Sequence, residues 1–124
     1  MDKKFYITTP IYYPSAKPHM GHAYSSIIAD FFARFKIIDD YKVHFLTGTD
    51  EHGLKIQRSA EKAGKEPQIF CDQISQTFRD LSDTLNLSNT DFIRTTETRH
   101  KKTVQHLWSE LEKNDDIYLS NYSG

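Results

Sequence analysis

The chain has 124 residues, with 16 Lys and Arg against 17 Asp and Glu, a net charge of −1 and a mean hydropathy of −0.66. That length allows one domain, or a piece of one, with a real core. The charge balance gives no support to a general polyanion binder, and no apolar run approaches the roughly 20 residues of a membrane-spanning helix.

Lys4 to Thr9 is short, aromatic and β-branched, and predicts a buried strand closed by Pro10. A loop with Pro10, Pro14 and Pro18 follows, too rich in proline to be helical. From Gly21 to about Ile38, Ala23, Ile27, Ile28, Phe31, Phe32 and Phe35 recur at helical spacing. Lys42 to Thr47 predicts a second strand, ended by Gly48. Strand, helix and strand in this order form a βαβ unit, hence a parallel sheet with a right-handed crossover. Leu54 to Ala63 predicts a short helix stopped by Gly64. Pro67 opens another, with a stripe of Phe70, Ile74, Phe78, Leu81 and Leu85. A last helix over about Thr98 to Lys113 carries Val104, Leu107, Trp108 and Leu111, and Ile117 to Leu119 is expected to add a strand. No repeat or linker divides the chain, so the fold class is α/β: a Rossmann-like parallel sheet with flanking helices.

In an open parallel sheet, ligands sit at the carboxyl ends of the strands. Two loops end there, Pro10 to His22 after the first strand and Gly48 to Gly53 after the second, and together they hold three of the six histidines, Asp50, Glu51, Tyr12 and Tyr13. The first loop enters a helix, whose free N–H groups and dipole favour an anion. The glycine fingerprints of dinucleotide and P-loop proteins are absent. In their place stands His19-Met20-Gly21-His22. Residues three apart share a helix face, so two imidazoles would border one site, with bare backbone at Gly21 between them. Such a pair could hydrogen-bond phosphate oxygens and stabilise the charge gathering on a transferring phosphoryl group.

His-x-Gly-His after a first strand resembles the HIGH signature of class I aminoacyl-tRNA synthetases and their nucleotidyltransferase relatives. With Thr9-Pro10-Ile11-Tyr12-Tyr13-Pro14 before it, Ala23-Tyr24 after it and Gly48-Thr49-Asp50-Glu51-His52-Gly53 on the second strand, the chain is similar to the methionyl-tRNA synthetase family. The resemblance covers essentially all 124 residues and is most specific from Phe5 to Gly53. It implies an ATP-dependent, Mg²⁺-assisted activation of methionine followed by transfer to tRNA, in the cytoplasm. His19 and His22 would contact the triphosphate as the catalytic pair, and Gly21 would lie against the adenine. Ile11, Tyr13, Asp50 and His52 would bind methionine, a carboxylate suiting its ammonium and an aromatic wall its thioether. The family's Lys-Met-Ser-Lys-Ser loop is not among these residues. Residues 1–124 are therefore expected to be the N-terminal part of the catalytic domain, with about 115–124 starting the connective insertion. Any zinc would belong to that insertion, and the 124 residues alone are expected to be inactive.

Other readings stand beside this one. His19, His22, Asp50 and His52 have the chemistry of a metal-dependent hydrolase site, and a small H-x-G-H nucleotidyltransferase would be nearly complete at this length. His19 and His22 could be ordinary helix-start residues. One of Tyr12 and Tyr13 is expected in the core, because neighbours in an extended segment face opposite ways. Asp50 and Glu51 are too close in sequence to work as a general acid and base pair. Arg94, Arg99, Lys101 and Lys102 read as a solvated helix face more readily than as a tRNA contact. Trp108 reads as core. Cys71, the single cysteine, reads as a structural thiol in a reducing compartment. The N-terminal sequence lacks the apolar run of a secretory signal.

Overall fold

The computed structural model describes residues 3–121. Three parallel strands, β1 (Lys4–Thr8), β2 (Lys42–Thr49) and β3 (Asp91–Arg94), lie side by side in that order. Helix α1 (Met20–Ile38) connects β1 to β2, and α2 (Leu54–Lys62) with α3 (Pro67–Thr84) connects β2 to β3. Helix α4 (Thr98–Lys113) follows. Phe5 pairs with Val43 and Ile7 with Phe45, while Thr47 pairs with Phe92 and Gly48 with Ile93.

Both crossovers step in the same direction along the sheet. Right-handed connections of that kind put their helices on one face. Accordingly Phe45 packs on Ala29 and Ala33 of α1, with Ile7 and Val43 around them. Two residues further along the same face, Thr47 lies beside Phe92, which packs with Phe78 and Ile74 of α3 and with Tyr12. The opposite face carries Tyr6 stacked on His44, ring centroids 5.5 Å apart.

The contact face of α1 differs from the expected stripe. Ser26, Ala29, Asp30 and Ala33 are buried, whereas Ile27, Phe31 and Phe35 are about half exposed or more. Small side chains let the helix axis approach the sheet closely, which the bulky residues beside them do not permit. Asp30 is tolerated there because Ser88 donates to it twice, from N and Oγ at 2.6 Å, and Arg34 donates from Nε at 2.6 Å. Burial pushes its carboxyl up, but these bonds together hold it below its ordinary value.

Three further expectations are corrected. Gly48 does not end β2; the strand runs on to Thr49, and a Cβ at 48 would stand 1.9 Å from the Ile93 carbonyl oxygen. Ile117 to Leu119 forms no strand; it borders a cavity with Trp108 and Glu112 of α4. No residue of α4 is buried, and Trp108 is 56% exposed, so its apolar stripe is not core within this chain. Of the segment expected to open the insertion, residues 122–124 lie outside the described residues. No helix among the described residues is long and apolar enough to cross a membrane.

Candidate active site

The first loop does not leave the sheet. Tyr12 donates its N–H to the Gly48 carbonyl at 3.0 Å, and Asp50 donates its N–H to the Tyr12 carbonyl at 2.8 Å. Tyr12 thereby forms a one-residue parallel bridge with Thr49. The two loops expected to share a crevice are thus joined at its floor. Tyr12 is the core member of the tyrosine pair: its ring stacks on Phe78 at 5.2 Å, and its hydroxyl meets Ser26 Oγ at 2.5 Å. Tyr13 is 53% exposed and faces a cavity of about 610 Å³.

That cavity opens at the start of α1 and is lined by Ile11, Tyr13, His19, Gly21 and His22, with Lys17 and Lys55 as its ammonium groups. Among the described residues no carboxylate lines it. His19 is the N-cap of α1, and its Nδ1 accepts the Gly21 N–H at 3.0 Å. In return His22 Nδ1 accepts the His19 N–H at 3.1 Å, a capping box made by two imidazoles. The rings lie nearly face to face with centroids 3.8 Å apart, and His22 meets Tyr12 and Phe78 edge-on at 5.0 Å. Burial, then the neighbouring charge of His19, lowers the His22 pKa below its ordinary 6.5.

These bonds fix the tautomer. An N–H donor requires a lone pair on each Nδ1, so in the neutral rings the proton sits on Nε2. Each imidazole therefore offers one N–H on the side away from the helix end. Gly21 is needed for the same arrangement, since a Cβ there would come within 2.9 Å of the His19 ring.

Of the seven residues expected to form the site, Ile11, Tyr13, His19, Gly21 and His22 line one cavity. Asp50 and His52 occupy the adjoining loop. Asp50 is half-buried, its N–H on the Tyr12 carbonyl, and His52 Nε2 stands 3.3 Å from the Thr95 carbonyl oxygen. Glu51 between them is buried, its carboxylate held by Arg94 Nε at 2.7 Å, Arg94 Nη2 at 3.0 Å, Thr49 Oγ1 at 2.9 Å and Thr96 Oγ1 at 2.5 Å. Burial raises its pKa, yet these donors and the guanidinium charge outweigh that and hold it low. A carboxylate so engaged is no general acid.

Arg94 is also bound to Asp72 at 2.5 Å, and Arg99 pairs with Asp91 and Glu97, so neither arginine presents a free cation for tRNA. Cys71 is buried, and desolvation pushes its thiol up to about 11, so it is an unreactive structural residue. Among the described residues no group of three or more His, Cys, Asp or Glu is arranged to hold a metal. With both Nδ1 atoms taken by the helix cap, the hydrolase reading lacks its ligand set. Lys17 and Lys55 were not singled out by sequence. Lys55 had a signal, since it lies one residue into the helix that leaves the second loop.

Residues 5–124 match the family described as tRNA synthetases class I (M). The chain belongs to that family. It is 54% identical over 123 residues to the mitochondrial methionine–tRNA ligase of Takifugu rubripes, a match covering 99% of this chain and 21% of the relative. It is 52% identical to the methionine–tRNA ligase of Mesorhizobium japonicum, covering 98% of this chain and 24% of that protein. Among solved structures, the Mycobacterium tuberculosis methionyl-tRNA synthetase in complex with methionyl-adenylate superposes with a TM-score of 0.96 at 48% identity, covering 98% of this chain and 24% of that one. A ternary complex of Agrobacterium radiobacter LeuRS with tRNA and LeuAMS gives 0.82 at 26% identity, covering 94% and 15%. The chain thus spans about a fifth to a quarter of the length of these class I (M) relatives.

Proposed function

We propose that this chain is the N-terminal part of the catalytic domain of a methionine–tRNA ligase, with its last residues, about 115–124, opening the connective insertion. The observation that carries the reading is the pair of imidazoles whose Nδ1 atoms are spent on the helix cap, beside a cavity walled by Tyr13 and Ile11. Support comes also from the 48% identity to a synthetase bound to methionyl-adenylate.

Methionine's carboxylate oxygen attacks the α-phosphorus of ATP. A new P–O bond forms, the bond to the bridging oxygen breaks, and pyrophosphate leaves. The terminal ribose of tRNA then takes the methionyl group and AMP is released. His19 and His22 donate their Nε2–H groups to the phosphate oxygens, where charge grows in the transition state. Lys17 and Lys55 line the same cavity and add positive charge beside the triphosphate. Gly21 lies against the adenine. Asp50 takes the methionine ammonium, while Ile11, Tyr13 and His52 border its amino-acid pocket. Mg²⁺ accompanying ATP would supply further positive charge to its phosphates. The buried free thiol of Cys71 agrees with a reducing compartment, in our reading the cytoplasm.

The test is methionine-dependent ATP–pyrophosphate exchange by the longer ligase. Exchange that requires methionine supports the reading, and ATP turnover indifferent to methionine favours the nucleotidyltransferase. The 124-residue chain alone is expected to be silent, and methionine-dependent exchange by it would contradict that expectation.

A further inference from the structure

Between Asp50 and His52 lies the most heavily bonded carboxylate among the described residues. Glu51 has a side chain with no exposure at all and accepts four hydrogen bonds, two from the fork of Arg94. The backbone is stitched to the same segment. Glu51 donates its N–H to Thr95 Oγ1 at 2.8 Å, Thr95 donates its own to the Thr49 carbonyl at 3.2 Å, and His52 Nε2 approaches the Thr95 carbonyl. Asp72 holds the outer edge of the guanidinium from α3. Thr49, Glu51 and His52 are therefore tied to 94–96, at the end of β3.

Stability alone does not account for this. A buried ion pair loses much of its Coulombic gain to desolvation, and apolar packing serves a core at least as well. What a bidentate arginine adds is direction: two parallel bonds fix the rotation of the carboxylate, which a lysine cannot do. With Glu51 locked inward, its half-buried neighbour Asp50 and exposed neighbour His52 are held in one orientation.

We propose that Arg94 is a positioning residue of the amino-acid site, acting through Glu51 to aim Asp50 and His52. This rests on the reading of Asp50 and His52 as methionine-binding. The test uses the longer ligase with Arg94→Lys, Glu51→Gln and, as a reference, Asp50→Asn, measuring methionine and ATP affinities separately together with thermal melting. Arg94→Lys is chosen because it keeps the charge, and hence the fold, while removing the fork. Arg94→Lys and Glu51→Gln are expected to weaken methionine binding about tenfold or more, with ATP binding within about twofold of the parent. Equal loss of both ligands, or unchanged methionine binding in Arg94→Lys, overturns the proposal. If Asp50→Asn weakens methionine binding and the other two do not, this inference alone fails. If Asp50→Asn binds methionine normally, the reading beneath it fails as well.

Discussion

The backbone N–H of His19 is capped by the Nδ1 of His22 at 3.1 Å, while His19 caps Gly21 at 3.0 Å, so each imidazole of the site is also a structural part of the helix that presents it. Both rings must then carry their neutral proton on Nε2. Nitrogen-detected NMR of the chain should find the Nε2–H tautomer at both positions, and a His22 midpoint below 6.5. Because the folded value is depressed, stability from this group is complete above about pH 6.5 and declines as pH falls and the unfolded imidazole takes its proton first. An Nδ1-protonated ring, or a raised His22 midpoint, would contradict the capping assignment.

Capping and chemistry separate at His19. Asn can also accept the Gly21 N–H, whereas Ala cannot, so denaturant titration should find His19→Ala less stable by about 1 kcal/mol and His19→Asn nearly unchanged. In the ligase both should lower kcat more than they raise the methionine KM, since in the proposed mechanism the lost donor works in the transition state. A fully active His19→Asn enzyme would reduce His19 to a cap.

Gly48 is the tightest position in the sheet. Its absent Cβ would overlap the Ile93 carbonyl oxygen at 1.9 Å, and the nearest escape is separation of β2 from β3. Gly48→Ala should cost more than about 2 kcal/mol, or abolish folding, because backbone gives way less readily than a side chain. A normal melting curve would mean that the strands are not packed this closely in solution.

What could be read from the residues follows from how local the signals are. The βαβ unit was legible because proline, glycine and helical spacing mark it, and α4 because Val104, Leu107, Trp108 and Leu111 recur at helical spacing. β3 was not: Asp91–Arg94 is four residues long, has one fully buried side chain, Phe92, and begins and ends on charges whose partners Arg99, Glu51 and Asp72 are distant in sequence or on another element. The bulky stripe of α1 misled because helix-to-sheet distance, set by Ala29 and Ala33, decides which face packs. That His19, Gly21 and His22 border one cavity was legible since the three positions lie on one turn. The Glu51–Arg94 pairing spans 43 residues and left no pattern.

Acid should loosen the chain through its depressed carboxylates. Glu51 and Asp30 both titrate below their ordinary values, owing to hydrogen bonds from Arg94, Thr96 and Thr49 in one case and from Ser88 and Arg34 in the other, which outweigh burial. Their stabilisation is present above the unfolded carboxylate value of about 4 and is lost as pH falls through the lower folded values. Beyond the decline that His22 brings below about pH 6.5, urea midpoints should drop further under about pH 4, and Glu51→Gln should flatten part of that second drop. A flat profile in the parent would contradict the network.

The most direct measurement is a crystal structure of the longer ligase with a non-hydrolysable methionyl-adenylate analogue. The phosphate group should lie within about 3 Å of the Nε2 atoms of His19 and His22, and the ammonium should lie on Asp50. An analogue bound away from the cavity at the start of α1, or one whose ammonium meets a group other than Asp50, would contradict the account.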